Sequence, residues 1–131
     1  MITLDTSALL AFLNRRDPAH GDIRGVIEDA PGACLVPAGI LAESTYMIED
    51  RLGPQVLDAF LLDLEEGAFS LDCGREDWAR IRTLVGRYAD LPLGAADAGV
   101  VACAERTGTP ILTLDRDFGV VAREGSITIL P

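Results

Sequence analysis

The stretch Ile2-Thr3-Leu4-Asp5-Thr6-Ser7-Ala8-Leu9-Leu10-Ala11-Phe12-Leu13-Asn14 decides the fold. Its first three residues form a short apolar run of the kind that makes a buried strand. Asp5-Thr6-Ser7 interrupts that run, and the following segment has helical character. Short β-like runs and longer helical ones alternate along the rest of the chain, with no internal repeat.

Working outward, Asp17-Pro18 fits an N-cap followed by proline in the first turn. It opens a helix to about residue 30, which Pro31-Gly32 breaks. Residues 33–36 read as a second buried strand, closed by Pro37. Residues 38–51 are helical, and Gly53-Pro54 punctuates the chain before a helix at 54–66. That helix carries Leu57, Phe60, Leu61 and Leu64 on one stripe. A third strand is expected at 68–71. A helix at 76–88 follows, with Trp78, Ile81, Leu84 and Val85 on one face. A shorter helix at 95–106 ends near Gly108, and strands four and five fall at 111–114 and 127–130. Strands separated by helices predict an α/β fold with crossovers and helices on both faces. The expected architecture is a single three-layer α/β/α domain over residues 1–131, around a central, mostly parallel, five-stranded sheet. Near-continuous apolar strands agree with a sheet covered on both sides.

Composition narrows the chemistry. The chain has 131 residues, 49% of them hydrophobic and 24% charged, which excludes a disordered chain. No apolar stretch is long enough to span a bilayer. There are 21 acidic residues against 11 basic ones, for a net charge of −10. Every basic residue is Arg. Without Lys there is no P-loop lysine, no Schiff-base lysine and no Ser–Lys pair. The single histidine, His20, leaves no partner for a His-rich metal site. An acidic surface also argues against broad, nonspecific duplex binding, which relies on cations neutralising phosphates. Cys34, Cys73 and Cys103 are odd in number and lack C-x-x-C spacing. They read as small core thiols in a reducing, cytoplasmic setting. The apolar run 7–13 precedes Arg15 and Arg16 rather than following a cation, so it does not read as an export signal.

In open parallel sheets, ligands bind beyond the carboxyl ends of the strands. Asp5 directly follows the first strand and Asp115 the fourth. Either alone fits a turn or N-cap residue. Glu43 shares helical spacing with Gly39, Ile40, Tyr46 and Met47, an apolar stripe on which a carboxylate has to be paired, protonated or metal-bound. Asp97 lies in the first turn of its helix above Val100, Val101 and Ala104, where the helix dipole also favours an acid. Together, four acids converge on one sheet edge, with Arg116 as the nearby cation able to pair with one. Clustered carboxylates raise one another's pKa. A hard divalent cation with oxygen ligands makes the arrangement favourable, and such a cation supports in-line phosphoryl displacement.

The same residues resemble the PIN-domain family. The likeness is carried by Ile2-Thr3-Leu4-Asp5-Thr6-Ser7-Ala8-Leu9-Leu10 and by Ala42-Glu43 with Tyr46 and Met47. Asp90-Leu91-Pro92-Leu93-Gly94-Ala95-Ala96-Asp97 and Thr113-Leu114-Asp115-Arg116-Asp117-Phe118 complete it in the family's order. It runs through essentially the whole chain, and at this length resembles the VapC-type ribonuclease toxins of toxin–antitoxin pairs. The resemblance implies a parallel α/β/α sheet and an endoribonuclease that uses Mg²⁺ or Mn²⁺. It implies Asp5 and Asp97 as direct metal ligands, and Glu43 completing the site directly or through water. Asp115 is implied as the fourth acid, holding the metal or orienting the attacking water. Asp117 is a lesser candidate that shapes the turn, and Thr6 and Thr113 are candidates to hydrogen-bond the acids or a phosphate. It also implies an RNA substrate, a homodimer, and an antitoxin that inserts a basic residue beside the acids.

Net charge −10 requires RNA to be held locally, with Arg15, Arg16, Arg82, Arg87 and Arg116 as candidate grips. Two readings compete on the same fold: a catalytically inactive binding or scaffold protein, and a structure-selective DNase. A response-regulator receiver is rejected for want of Lys. A haloacid-dehalogenase-type phosphatase is rejected because Thr6-Ser7 follows Asp5 where Asp-x-Asp is needed. No Gly-rich loop follows the first strand, so a dinucleotide-binding module is rejected too.

Overall fold

The computed structural model describes residues 1–125 and 127–131. Its five strands are β1 (Ile2–Leu4), β2 (Cys34–Pro37), β3 (Phe69–Asp72), β4 (Ile111–Leu112) and β5 (Ile129–Leu130). They pair in the order β3-β2-β1-β4-β5. Every pairing is parallel, so the sheet is wholly rather than mostly parallel. The helices are α1 (Thr6–Leu13), α2 (His20–Asp29), α3 (Leu41–Leu52), α4 (Pro54–Glu66), α5 (Trp78–Arg87), α6 (Ala95–Thr107) and α7 (Asp117–Glu124).

β1 is the central strand, and all three of its residues are buried. Alternation along it separates the two layers. Thr3 faces α6, where its hydroxyl meets the Cys103 thiol at 3.7 Å and the Thr109 hydroxyl at 2.7 Å. Ile2 and Leu4 therefore face the other layer, which contains α1. α6 is buried nearly all round, at Ala98, Val100, Val101, Ala102, Cys103 and Ala104. Its small side chains let it lie close on the sheet. α5 packs on α6, tied by the bidentate Arg80–Glu105 pair at 2.8 and 2.9 Å. Arg106 adds a second tie, reaching Asp77 on the α5 N-terminal side and Asp72 at the end of β3.

Several expectations are corrected. Asp17-Pro18 makes a turn in which Asp17 accepts the Ala19 N–H, and the helix starts later, at His20. A 3-10 turn at Ala38–Ile40 precedes α3. Strands four and five are shorter than expected. Residues 115–126 carried no predicted element, yet α7 lies there, anchored by buried Phe118 and Val121. Trp78 leaves the apolar face of α5 and is 69% exposed, whereas Asp77 before it is buried and paired with Arg106. Leu61 and Leu62 are likewise exposed on α4, and Leu71 on edge strand β3. Cys34 and Cys103 are core thiols, whereas Cys73 is exposed; all three are free. Among the described residues, no helix is long and apolar enough to cross a membrane.

Candidate active site

The carboxyl ends of β1 and β4 lie side by side, and the residues that leave them are stitched together by hydroxyls. Asp5 is buried and is the N-cap of α1, its Oδ1 accepting the Ala8 N–H at 2.9 Å. The expected capping role is therefore real, but it uses only part of the carboxylate. The Ser7 hydroxyl lies 2.8 and 2.9 Å from the two carboxylate oxygens, and the Thr113 hydroxyl donates to Oδ2 at 2.5 Å. The same two hydroxyls grip the β4 end. Ser7 Oγ accepts the Leu114 N–H and Thr113 Oγ1 accepts the Asp115 N–H, each at 2.9 Å. Asp115 in turn accepts the Asp117 N–H at 2.9 Å, which starts α7. One chain of hydrogen bonds thus runs from Ala8 through Asp5 to Asp117. Thr113 bonds an acid as anticipated. Thr6 does not; its hydroxyl meets Ser44 of α3 at 3.1 Å. Ser7 was missed, although an acid two residues before a serine at a helix start is a recognisable capping pattern.

Asp97 enters from the first turn of α6, half-buried. Its pKa is pushed up to about 6, first by desolvation and then by the charges of Asp115, Asp5, Glu43 and Asp117, in that order. That ordering brings all four candidate acids, with Asp117, into one electrostatic neighbourhood. Asp5 is also raised, mainly by burial and further by Asp115, against the pull of its three hydrogen-bond donors. Glu43 joins the group by a different route than expected. It is exposed, and Tyr46 beside it is 71% exposed. The 3-10 turn, with three residues per turn, shifts the helical phase, so Ser44 and Ile48 take the inward face of α3. Exposed Glu43 is thus under no compulsion to be paired, protonated or metal-bound, yet it is near enough for its charge to act on Asp97. Arg116, expected as a counter-charge, is exposed and forms no ion pair among the described residues.

The donor set is all oxygen: carboxylates backed by Ser and Thr hydroxyls, with no thiol or imidazole in the group. That set fits a hard cation such as Mg²⁺ or Mn²⁺. Among the described residues no group of three or more His, Cys, Asp or Glu side chains is placed to hold a metal ion by itself. A cation held here would therefore keep water or substrate oxygens in its coordination shell, as Mg²⁺ usually does. Burial first, and then the charges of the neighbouring acids, raise Asp97, and a cation bound beside it would offset the second of these.

Comparison with known proteins places the chain in a family. The PIN-domain family model matches residues 2–124. Over 133 aligned residues, covering 98% of both chains, the protein is 35% identical to Ribonuclease VapC26 of Mycobacterium tuberculosis (strain ATCC 25618 / H37Rv). The fold is similar to that of Mycobacterium tuberculosis VapC20, described as a sarcin-ricin loop cleaving toxin. The TM-score is 0.81 with 19% identity, over 92% of this chain and 95% of that one. It is also similar to VapBC2 of Rickettsia felis, solved bound to a DNA fragment from its promoter, with TM-score 0.68 and 15% identity over 99% and 98% of the two chains. FitAcB of Neisseria gonorrhoeae gives a TM-score of 0.66 and 16% identity, over 100% and 97%. The acids in their order, the parallel sheet that gathers them and the full-length match agree: the chain belongs to the PIN-domain family and, within it, to the VapC proteins.

Proposed function

We propose that this protein is an endoribonuclease that hydrolyses RNA phosphodiester bonds with Mg²⁺ or Mn²⁺, and that it is the toxin of a toxin–antitoxin pair. The carrying observation is the gathering of Asp5, Asp97, Glu43 and Asp115, with Asp117, beside the carboxyl ends of β1 and β4. The VapC relative named as a ribonuclease supports the substrate class. Asp5 and Asp97 are the proposed direct ligands. A bound cation supplies a water of lowered pKa and stabilises the charge that develops on the phosphoryl oxygens.

The chain's own residues do the rest. Ser7, Thr113 and the Ala8 N–H fix the Asp5 carboxylate, so its direction is set before substrate arrives. Thr113 fixes Asp115 through its backbone, which sets one wall of the site. Asp115 and Glu43, more open to solvent than Asp5, are placed to accept a proton from water or to orient it. Asp117 shapes the turn into α7. The proposed state is a homodimer in the cytoplasm, silenced by an antitoxin that presents a basic group to the acids. The surplus of negative charge supports that electrostatic mode of silencing.

The test is cleavage of total RNA by purified protein with Mg²⁺, Mn²⁺ or EDTA. Discrete fragments that disappear with EDTA are expected. Protein free of antitoxin that cuts no RNA with either metal overturns the proposal, and cleavage of single-stranded or structured DNA alone transfers it to a DNase.

A further inference from the structure

The acids are one like-charge group among the described residues, and a cluster of arginines is another. The arginines line a cleft of about 890 Å³ where the tips of two helical hairpins meet, α1–α2 and α3–α4. Arg15 and Arg16 line it from the turn after α1, Arg24 and His20 from α2, Arg51 from the last turn of α3 and Gln55 from the start of α4. Four of the chain's 11 basic side chains therefore share one cleft in a protein of net charge −10. All four are exposed. Arg24 is paired with Glu28 at 2.6 Å, the one acid among the cleft's described lining residues. Arg15, Arg16 and Arg51 form no ion pair among the described residues, although 21 acids are available in the chain.

Helix dipoles favour a cation at the C-terminal ends of α1 and α3. That accounts for one arginine at each end, not for four in one concavity. The turn is also held in place. Asn14 Oδ1 accepts the Arg16 N–H at 3.1 Å, and the His20 ring is bound to the Ala11 carbonyl at 2.9 Å. Gathering unpaired guanidinium groups costs repulsion that a polyanion relieves, as a cation does for the acids.

We infer that this cleft holds the phosphate backbone of the RNA substrate, apart from the scissile bond. The inference rests on the ribonuclease reading above. Guanidinium groups suit phosphate oxygens, to which they donate in a planar fork. α1 connects the two regions: Asp5 caps its first turn and Arg15 and Arg16 follow its last. Its eight residues make that link about 12 Å long, at 1.5 Å per residue. One strand of RNA spans such a distance. A long-range grip at the cleft also resolves how so acidic a protein keeps an anionic substrate: binding charge and cutting charge are kept apart.

The experiment compares two triple variants of equal charge change, Arg15→Gln/Arg16→Gln/Arg51→Gln in the cleft and Arg75→Gln/Arg80→Gln/Arg123→Gln outside it. Binding of a labelled single-stranded RNA 20-mer is measured in an Asp97→Asn background with Mg²⁺ over a salt series. Cleavage is measured in the Asp97 background. The cleft variant is expected to bind roughly tenfold more weakly at low salt, and the slope of log affinity against log salt to fall by about two, near 0.7 per lost phosphate contact. Its KM rises while kcat holds, and Arg→Lys at the three positions restores most of the affinity. The control triple moves neither quantity. Equal effects of both triples, or an unchanged slope in the cleft variant, overturn the inference. So does a cleft variant that keeps RNA affinity and loses only a protein partner. Normal RNA cleavage with an unchanged slope sinks the cleft alone, whereas a cleft-dependent grip on RNA without any cleavage sinks the nuclease.

Discussion

The acid cluster and the arginine cleft collect opposite charges by opposite means. Each acid in the cluster sits at a strand end or in a first helical turn. Asp5 has both carboxylate oxygens bound by hydroxyl or backbone donors, and it is buried. Arg15, Arg16 and Arg51 lie at or just past helix ends and Arg24 in the middle of α2, all on long, exposed side chains, and only Arg24 has an acid partner among the described residues. Chemistry on a phosphodiester demands groups held to a fraction of an ångström, so the acids are placed by backbone and backed by Ser and Thr. Holding a polyanion demands only charge in the right region, so mobile side chains suffice. The contrast predicts that perturbing the first region alters kcat and that perturbing the second alters KM.

The largest break in that contrast is Asp5→Asn or Asp97→Asn. Either is expected to lower kcat of RNA cleavage by more than roughly a hundredfold, beyond the 10–100-fold typical of losing an outer partner. Circular dichroism should report an intact fold. Retained activity in Asp5→Asn removes it from the site. Next comes Thr113→Val, which takes away one donor to Asp5 and the acceptor for the Asp115 N–H. A loss of about 10–100-fold in activity is expected, with weaker metal activation visible in Mn²⁺ titrations. If Thr113→Val matches wild type, the hydroxyl chain is ornamental to catalysis.

A smaller effect concerns stability. Asp97 has a folded-state pKa near 6, above its ordinary value of 3.8. The folded protein therefore holds that proton more tightly than the unfolded chain does. The resulting stabilisation is fully present below pH 3.8 and is lost as pH rises through about 6. Without metal, the difference in Tm between Asp97→Asn and wild type should therefore grow in the variant's favour between about pH 4 and 6 and stay level above that. Saturating Mg²⁺ should shrink it, because ligand binding to the native state stabilises only the protein that binds. A pH-independent difference contradicts the charge-cluster account. Smallest of all, Cys73→Ser on the surface should change stability by no more than about 0.5 kcal/mol and leave cleavage unchanged.

The two regions were also unequally legible in the sequence. Asp5, Glu43, Asp97 and Asp115 stand at fixed places relative to strands and helix starts, so alternation alone delivers them to one edge of a parallel sheet. The wholly parallel order follows from the same alternation. Glu43 was located for the wrong reason, since a 3-10 turn before α3 rotates the helix and no residue pattern announces that phase. α7 was missed because eight residues with a glycine at their third position give little periodic signal. The arginine cleft was half visible. Arg15 and Arg16 are adjacent and conspicuous, but Arg24 and Arg51 join them only through the packing of two hairpins, which the sequence does not spell out.

The most direct test of the central claim is single-turnover cleavage of a mapped RNA target by wild type and Asp97→Asn across a Mn²⁺ series. The account predicts wild-type cleavage that rises with Mn²⁺ and saturates, and an Asp97→Asn enzyme that stays inert or requires far more metal. Superimposable curves for the two proteins would contradict it, because the acids gathered at the end of the sheet would then play no part in metal-dependent cleavage.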